Sequence, residues 1–149
     1  VSRITSSSVW DEPQIKRFLA DCVIPIRLGC LDSKGSPLIC SLWFLYDDNA
    51  LWCATQQSAS VAKMLQANPQ CGFEVAPEAM PYRGVRGQGQ ASLSVEHGAA
   101  VLARLVDRYL GDRESDFARW LLARAADEVA IKITPDYFTS WDFSRRMSS

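Results

Sequence analysis

A strand that runs into a hydroxyl-rich turn and then a short helix is a place where a chain can hold an anion. Here that place carries Thr55, Ser58, Ser60 and Lys63. A helix N-terminus presents N–H groups without helical partners and the positive end of its dipole, and hydroxyls add further donors. Lys63 adds a full charge one turn in, so the chemistry assembled is phosphate binding. Serines before a helix also serve as ordinary caps, and a lone lysine on a short helix is commonly solvated, so the segment alone supports either reading.

No complete catalytic set stands elsewhere. The one histidine, His97, lies between Glu96 and Gly98 in a turn, and the five cysteines (Cys22, Cys30, Cys40, Cys53, Cys71) contain no C-x-x-C pair, which argues against a metal site. A Ser-His-Asp hydrolase would need that same histidine, and there is no G-x-S-x-G elbow. Gly84-Val-Arg-Gly-Gln-Gly89 has the spacing G-x-x-G-x-G, which is neither a dinucleotide fingerprint nor a P-loop. Glycines inside a strand mark backbone curvature or a wall that something flat can approach. Arg83 and Arg86 fall on opposite faces of that strand by its period of two.

Composition limits what these residues can serve. At 149 residues the chain suits one domain, spanning 1–149, and a chain near this size buries roughly 70% of its unfolded surface. A formal charge of -1, from 16 basic and 17 acidic residues, gives no field to attract nucleic acid or anionic lipid. The longest apolar run, Leu38 to Tyr46, is far short of the roughly 20 residues that span a bilayer. The first residues lack a basic head and an apolar segment, so no secretory targeting is expected. Unpaired, apolar-flanked cysteines fit reduced thiols in a cytoplasmic protein.

The elements that must position the segment follow from periodicity. Ser8 with Asp11 reads as a helix entry, and Ile15, Phe18, Leu19 and Cys22 follow at helical spacing, giving an N-terminal helical region within 1–22. Ile24 to Cys30 and Leu38 to Tyr46 alternate around Asp32-Ser-Lys-Gly35 and predict a hairpin. The second hairpin strand is bulky on both faces, with Ile39, Trp43 and Leu45 opposite Leu38, Leu42 and Phe44, so a partner subunit or a planar ligand should cover it.

Leu51 to Thr55 is a third strand, residues 58–67 a short helix stopped by Asn68-Pro69, Cys71 to Ala76 a fourth strand, and a long fifth strand carries the glycines. Val101 to Tyr109 is a helix ended by Gly111, and Ser115 caps another with Phe117, Trp120 and Leu121 inward. A last strand ends before Pro135, leaving an aromatic tail over 135–149 that should pack on the sheet or a second chain. Trp10, Trp52 and Trp120 read as core or staple residues, whereas Trp43 and Trp141 have no evident intrachain partner.

This order of elements resembles the pyridoxamine 5′-phosphate oxidase-like family of FMN-binding split barrels. The residues that carry the resemblance are Gly35-Ser-Pro-Leu-Ile-Cys-Ser-Leu-Trp-Phe44, Leu51-Trp-Cys-Ala-Thr55, the helix ending Asn68-Pro69, and Tyr82-Arg-Gly-Val-Arg-Gly-Gln-Gly-Gln-Ala91. It covers the chain from about Ile24 to Trp141. The resemblance implies an α+β fold, mainly β: a six-stranded antiparallel Greek-key split barrel with helices, forming a homodimer with flavins in clefts between subunits.

It further implies that Ser41, Leu42 and Trp43 line the flavin ring, that Thr55, Ser58, Ser60 and Lys63 hold the phosphate, and that Arg83 and Trp141 border the cleft. The family's helix lysine falls at Val61 in this chain, with Lys63 two residues on, turned by about 200°. The function implied is an FMN-dependent oxidoreductase passing hydride to a small substrate, with no side chain acting as catalytic acid or base. A deazaflavin-dependent reductase is the nearest alternative, and a non-enzymatic flavin- or haem-binding or cofactor-free interaction protein is another.

Overall fold

A computed structural model describes residues 3–148. In chain order the elements are β1 (Arg3–Ile4), α1 (Glu12–Asp21), β2 (Ile26–Leu31), β3 (Pro37–Leu42), β4 (Leu45–Asp47), β5 (Ala50–Gln56), α2 (Ser60–Ala67), β6 (Gln70–Val75), β7 (Arg83–Ser94), α3 (Gly98–Leu110), α4 (Asp116–Ala123), a 3-10 turn (Ala125–Asp127) and β8 (Glu128–Asp142). One sheet runs β3-β2-β6-β7-β8-β5-β4, antiparallel throughout, with β1 added parallel to β8. It curls into a half-barrel, the expected class of antiparallel split barrel with helices. The two short strands β1 and β4 come on top of the six expected.

The inner face follows from alternation. Ile26, Leu28 and Cys30 of β2, Phe73 and Val75 of β6, Val85 of β7, Ile131, Ile133 and Phe138 of β8, and Leu51 and Cys53 of β5 form one core with Ile15 and Leu19 of α1 and Val61 and Leu65 of α2. The opposite face of β5 and β8 is covered by α3, whose Val101 and Leu105 pack with Leu45 and Ala130. Among the described residues no helix is long and apolar enough to cross a membrane. All five cysteines are free thiols; Cys30, Cys53 and Cys71 are buried, and Cys22 and Cys40 are half-buried. Burial pushes the Cys71 thiol up to about 12 and drives Cys53 still higher.

Four sequence expectations change. Asp11, not Ser8, caps α1: its side chain accepts from the Gln14 N–H at 3.0 Å, and the Gln14 side chain accepts from the Asp11 N–H at 3.0 Å. Ser8 is held by β8 instead, its hydroxyl 2.8 Å from that of buried Ser140. The last strand does not stop at Pro135. It continues to Asp142 because the β7–β8 register shifts between Gln88 and Gly89, a bulge that lets a proline without an N–H sit inside a paired strand. The aromatic tail is therefore mostly strand, with Phe138 in the core.

In α4, Ser115 does cap the helix, yet the resulting phase turns Ala118 inward and leaves Phe117 and Trp120 exposed, so neither is a core residue. Finally, Trp43 and Trp141 both have intrachain partners, Tyr109 for the first and Gly84 with Arg86 for the second.

Candidate functional site

The strand β5 leaves the sheet at Gln56, turns through Gln57 and Ser58, and enters α2 at Ser60. Ala59 is the N-cap, in extended conformation, and it supplies no side-chain acceptor. The first-turn N–H groups of α2 thus lack the partner that a capping Ser or Asp would provide. Among the described residues the side chains of Thr55, Ser58, Ser60 and Lys63 make no hydrogen bond or ion pair. Uncapped N–H groups, three hydroxyls and an ammonium without a carboxylate form a donor set fit for an anion.

Position 61, where the resemblance calls for a lysine, holds Val61, buried in the core. Lys63 is exposed on the flank of α2. With Gln57, Gln66, Leu93, Val95 and Val129 it borders a cavity of about 440 Å³. Ser58 and Ser60 are exposed at the helix mouth, and Thr55 is half-buried at the end of β5.

On β3, the sheet's edge strand, Ser41 accepts a hydrogen bond from Arg27 at 2.7 Å, while half-buried Leu42 packs against the core. Trp43, just after the strand, lies flat on Tyr109 of α3, centroids 4.8 Å apart and planes 5° apart, with Phe117 edge-on at 6.2 Å. The indole therefore belongs to the layer between sheet and helices. Tyr109 is fixed in turn: its hydroxyl accepts from the Phe44 N–H at 3.0 Å and donates to the Ile24 carbonyl at 2.7 Å.

Arg83 pairs in register with Asp142, and Gly84 with Trp141. Residues directly opposite each other share a face, so Arg83 and Trp141 look out on opposite faces of the sheet. Arg83 borders a cleft of about 490 Å³ with Trp10, Gln14, Arg17 and Phe18 of the α1 region. Trp141 covers Gly84, where an added Cβ would lie 2.7 Å from the indole, and the Arg86 guanidinium sits 5.0 Å above the ring centre. Arg83 and Arg86 are thus on opposite faces, as their spacing predicts.

The glycines of β7 differ in what approaches them. A Cβ at Gly87 would lie 2.2 Å from the Tyr137 carbonyl oxygen and one at Gly89 2.5 Å from that of Thr134, so both permit close strand approach. The flat group that Gly84 admits is the chain's own Trp141.

The sequence reading missed two features beside this region. Arg108 reaches from α3 to the C-terminal end of α1, donating to the carbonyls of Leu19, Ala20 and Cys22 at 2.9, 2.8 and 3.1 Å. Glu128, buried at the start of β8, accepts a hydrogen bond from the Gln56 amide at the end of β5. Burial raises the Glu128 carboxyl above its ordinary range, with Gln56 and Arg124 opposing the rise. Nothing local marks either partnership, since each joins residues more than seventy positions apart in sequence. Among the described residues no group of three His, Cys, Asp or Glu side chains is placed to hold a metal ion.

Comparison with known proteins places these features in a wider set. Residues 12–142 match the family model described as Pyridoxamine 5′-phosphate oxidase. The comparison with curated proteins finds no match. A conserved hypothetical protein from Mycobacterium tuberculosis superposes with a TM-score of 0.80 at 20% identity, over 99% of this chain and 94% of that one. A structure described as an F420 reductase gives 0.69 at 24% identity over 81% and 93%. The haem storage protein HutZ of Vibrio cholerae gives 0.67 at 19% identity over 88% and 93%. At such identities the likeness is one of fold.

Proposed function

Because the chain belongs to the pyridoxamine 5′-phosphate oxidase-like family of split barrels, we propose that it is an FMN-binding oxidoreductase acting on a small substrate as a homodimer. The observation that carries this reading is the uncapped start of α2, with the unpartnered hydroxyls of Thr55, Ser58 and Ser60 gathered at its mouth. Those groups would hold the phosphate, and they fit it by charge and donor type. When bound, the flavin supplies the hydride chemistry. The chain's part is to bind, orient and keep water out.

Ser41 and Leu42 on β3 would border the ring, with Trp43 fixing the strand end through its stack on Tyr109. Arg83 and Trp141 face opposite sides of the sheet, which is why we assign them to clefts shared between different protomers. Exposed Leu38 and Ile39 on edge strand β3, 42% and 68% accessible, are surface that a second copy would cover. Light scattering tests this, a monomer at micromolar concentration counting against the shared cleft. Lys63 lies one turn further along α2 and belongs to the phosphate site if its chain reaches back toward Ser60. A Lys63→Ala titration tests that share: a several-fold loss of FMN affinity includes it, and unchanged affinity leaves the ammonium to the cavity.

A deazaflavin is the second reading, favoured by buried Val61 at the position of the family lysine. It draws also on the fold likeness to the F420 reductase. Thermal unfolding with FMN, deazaflavin or haem separates the readings. A ligand at 100 times its dissociation constant stabilises by about 2.7 kcal/mol. FMN is expected to do so, and the Ser58→Ala/Ser60→Ala double variant to lose most of that gain. No response to FMN would overturn the first reading, and a response to deazaflavin alone would establish the second.

A further inference from the structure

The cavity beside α2 has a composition that differs from the phosphate site. Its walls are Ala62 and Ala67 of α2, Leu93 and Val95 at the end of β7, and Val129 of β8; its rim is Gln57, Gln66 and Lys63. No carboxylate lines it. Val95 is 59% accessible, a large aliphatic side chain left facing this space. Neither the Lys63 ammonium nor the two rim amides has a hydrogen-bond or ion-pair partner among the described residues. At about 440 Å³ it falls within the size range of small-molecule pockets, about 300–1,000 Å³.

An apolar trough closed at one edge by a single cation and two amides is complementary to one kind of molecule. We propose that this cavity binds a small amphiphilic carboxylate. The alkyl portion lies on Leu93, Val95 and Val129, and the carboxylate pairs with Lys63 and accepts from Gln57 or Gln66. A neutral apolar ligand would leave Lys63 unused, and a small polar anion would leave the aliphatic wall in water. The apolar wall is separate from the α2 mouth, since Ser58 and Ser60 do not line the cavity, and Lys63 is the group that borders both.

Straight-chain carboxylates from butanoate to decanoate, titrated calorimetrically into the purified 149-residue chain, provide the test. Affinity should rise about three- to fourfold per added methylene until the cavity is full, since each buried methylene contributes about 0.8 kcal/mol. Lys63→Ala should weaken every member by a similar factor and leave the chain-length trend intact. Val95→Ser should flatten the trend, weakening octanoate and decanoate by a larger factor than butanoate. Octan-1-ol should bind the parent protein more weakly than octanoate does.

Affinities independent of chain length, or octanoate binding unchanged in Lys63→Ala, would overturn the proposal. FMN titrations on the same preparations keep the two readings apart. Octanoate binding without FMN binding removes the flavin reading alone, and the reverse removes this one alone.

Discussion

Trp43 and Tyr109 stack face to face, 4.8 Å between centroids and within 5° of parallel, and this contact ties the edge of the β sheet to α3. The Tyr109 hydroxyl closes the arrangement by linking the chain before β2, at Ile24, to the chain after β3, at Phe44. A strand end that should otherwise be loose is pinned by one ring and one hydroxyl.

Tyr109→Phe keeps the stack and deletes the hydroxyl. It leaves the Phe44 N–H and the Ile24 carbonyl short of a partner, and half-buried groups so stranded cost about 1–3 kcal/mol. Urea denaturation should show a lower midpoint with an unchanged slope. A loss below about 0.5 kcal/mol would show that water replaces the hydroxyl.

Arg108→Lys should not rescue Arg108→Ala. The guanidinium reaches three carbonyls at the end of α1 while its carbon lies 5.2 Å from the Phe44 ring centre. A lysine ammonium cannot copy a planar fork. Both variants should lose about 1.5–3 kcal/mol in chemical denaturation.

Gly84→Ala and Gly87→Ala should differ sharply. At Gly84 the new methyl meets the Trp141 ring and the Ala76 methyl, each at 2.7 Å; the ring can turn aside and Ala76, just past the end of β6, must shift with its loop, so a cost of about 1–3 kcal/mol is expected. At Gly87 it meets the Tyr137 backbone carbonyl at 2.2 Å, which cannot move without breaking the β7–β8 ladder. The measurement is thermal unfolding, with Gly87→Ala the less stable or failing to fold.

Glu128 gives stability a pH dependence of known sign. Burial raises its folded pKa, so the folded state binds more protons than the unfolded one in the window above the ordinary carboxylate value of about 4.3. Stability contributed by the protonated carboxyl is present below that window and is lost as pH rises through the folded pKa. Glu128→Gln removes the titration. Relative to the parent, its melting temperature should be higher at pH 7 than at pH 4, and a difference constant with pH would contradict this.

Much of the strand order was legible because β2, β5, β6 and β7 alternate cleanly, and Gly111 and Ser115 signal their helix ends by chemistry that acts locally. Pro135 misled because a proline reads as a stop, whereas the bulge opposite Gln88 and Gly89 is a property of two strands together. Phe117 and Trp120 misled for a related reason: an apolar stripe gives the phase of a helix only when its neighbour is known.

The site divides in the same way. Thr55, Ser58 and Ser60 were readable as a donor set because they are close in sequence. That Lys63 also borders the cavity with Leu93 and Val95 was not readable, because those residues lie about thirty positions away on β7 and just after it. The partners of Trp43 and Trp141 lie across the fold, at Tyr109 and Gly84, and no spacing rule joins them.

Cys30, Cys53 and Cys71 line the inside of the half-barrel with their thiols held protonated by burial. Cys30 and Cys71 also border a cavity of about 360 Å³ that opens to the surface, whereas Cys53 is fully enclosed, so its thiolate forms and meets an alkylating reagent only when the sheet opens. The barrel therefore carries its own chemical clock: half-exposed Cys22 and Cys40 should label early, and the lag before Cys53 reacts records how often the native state comes apart.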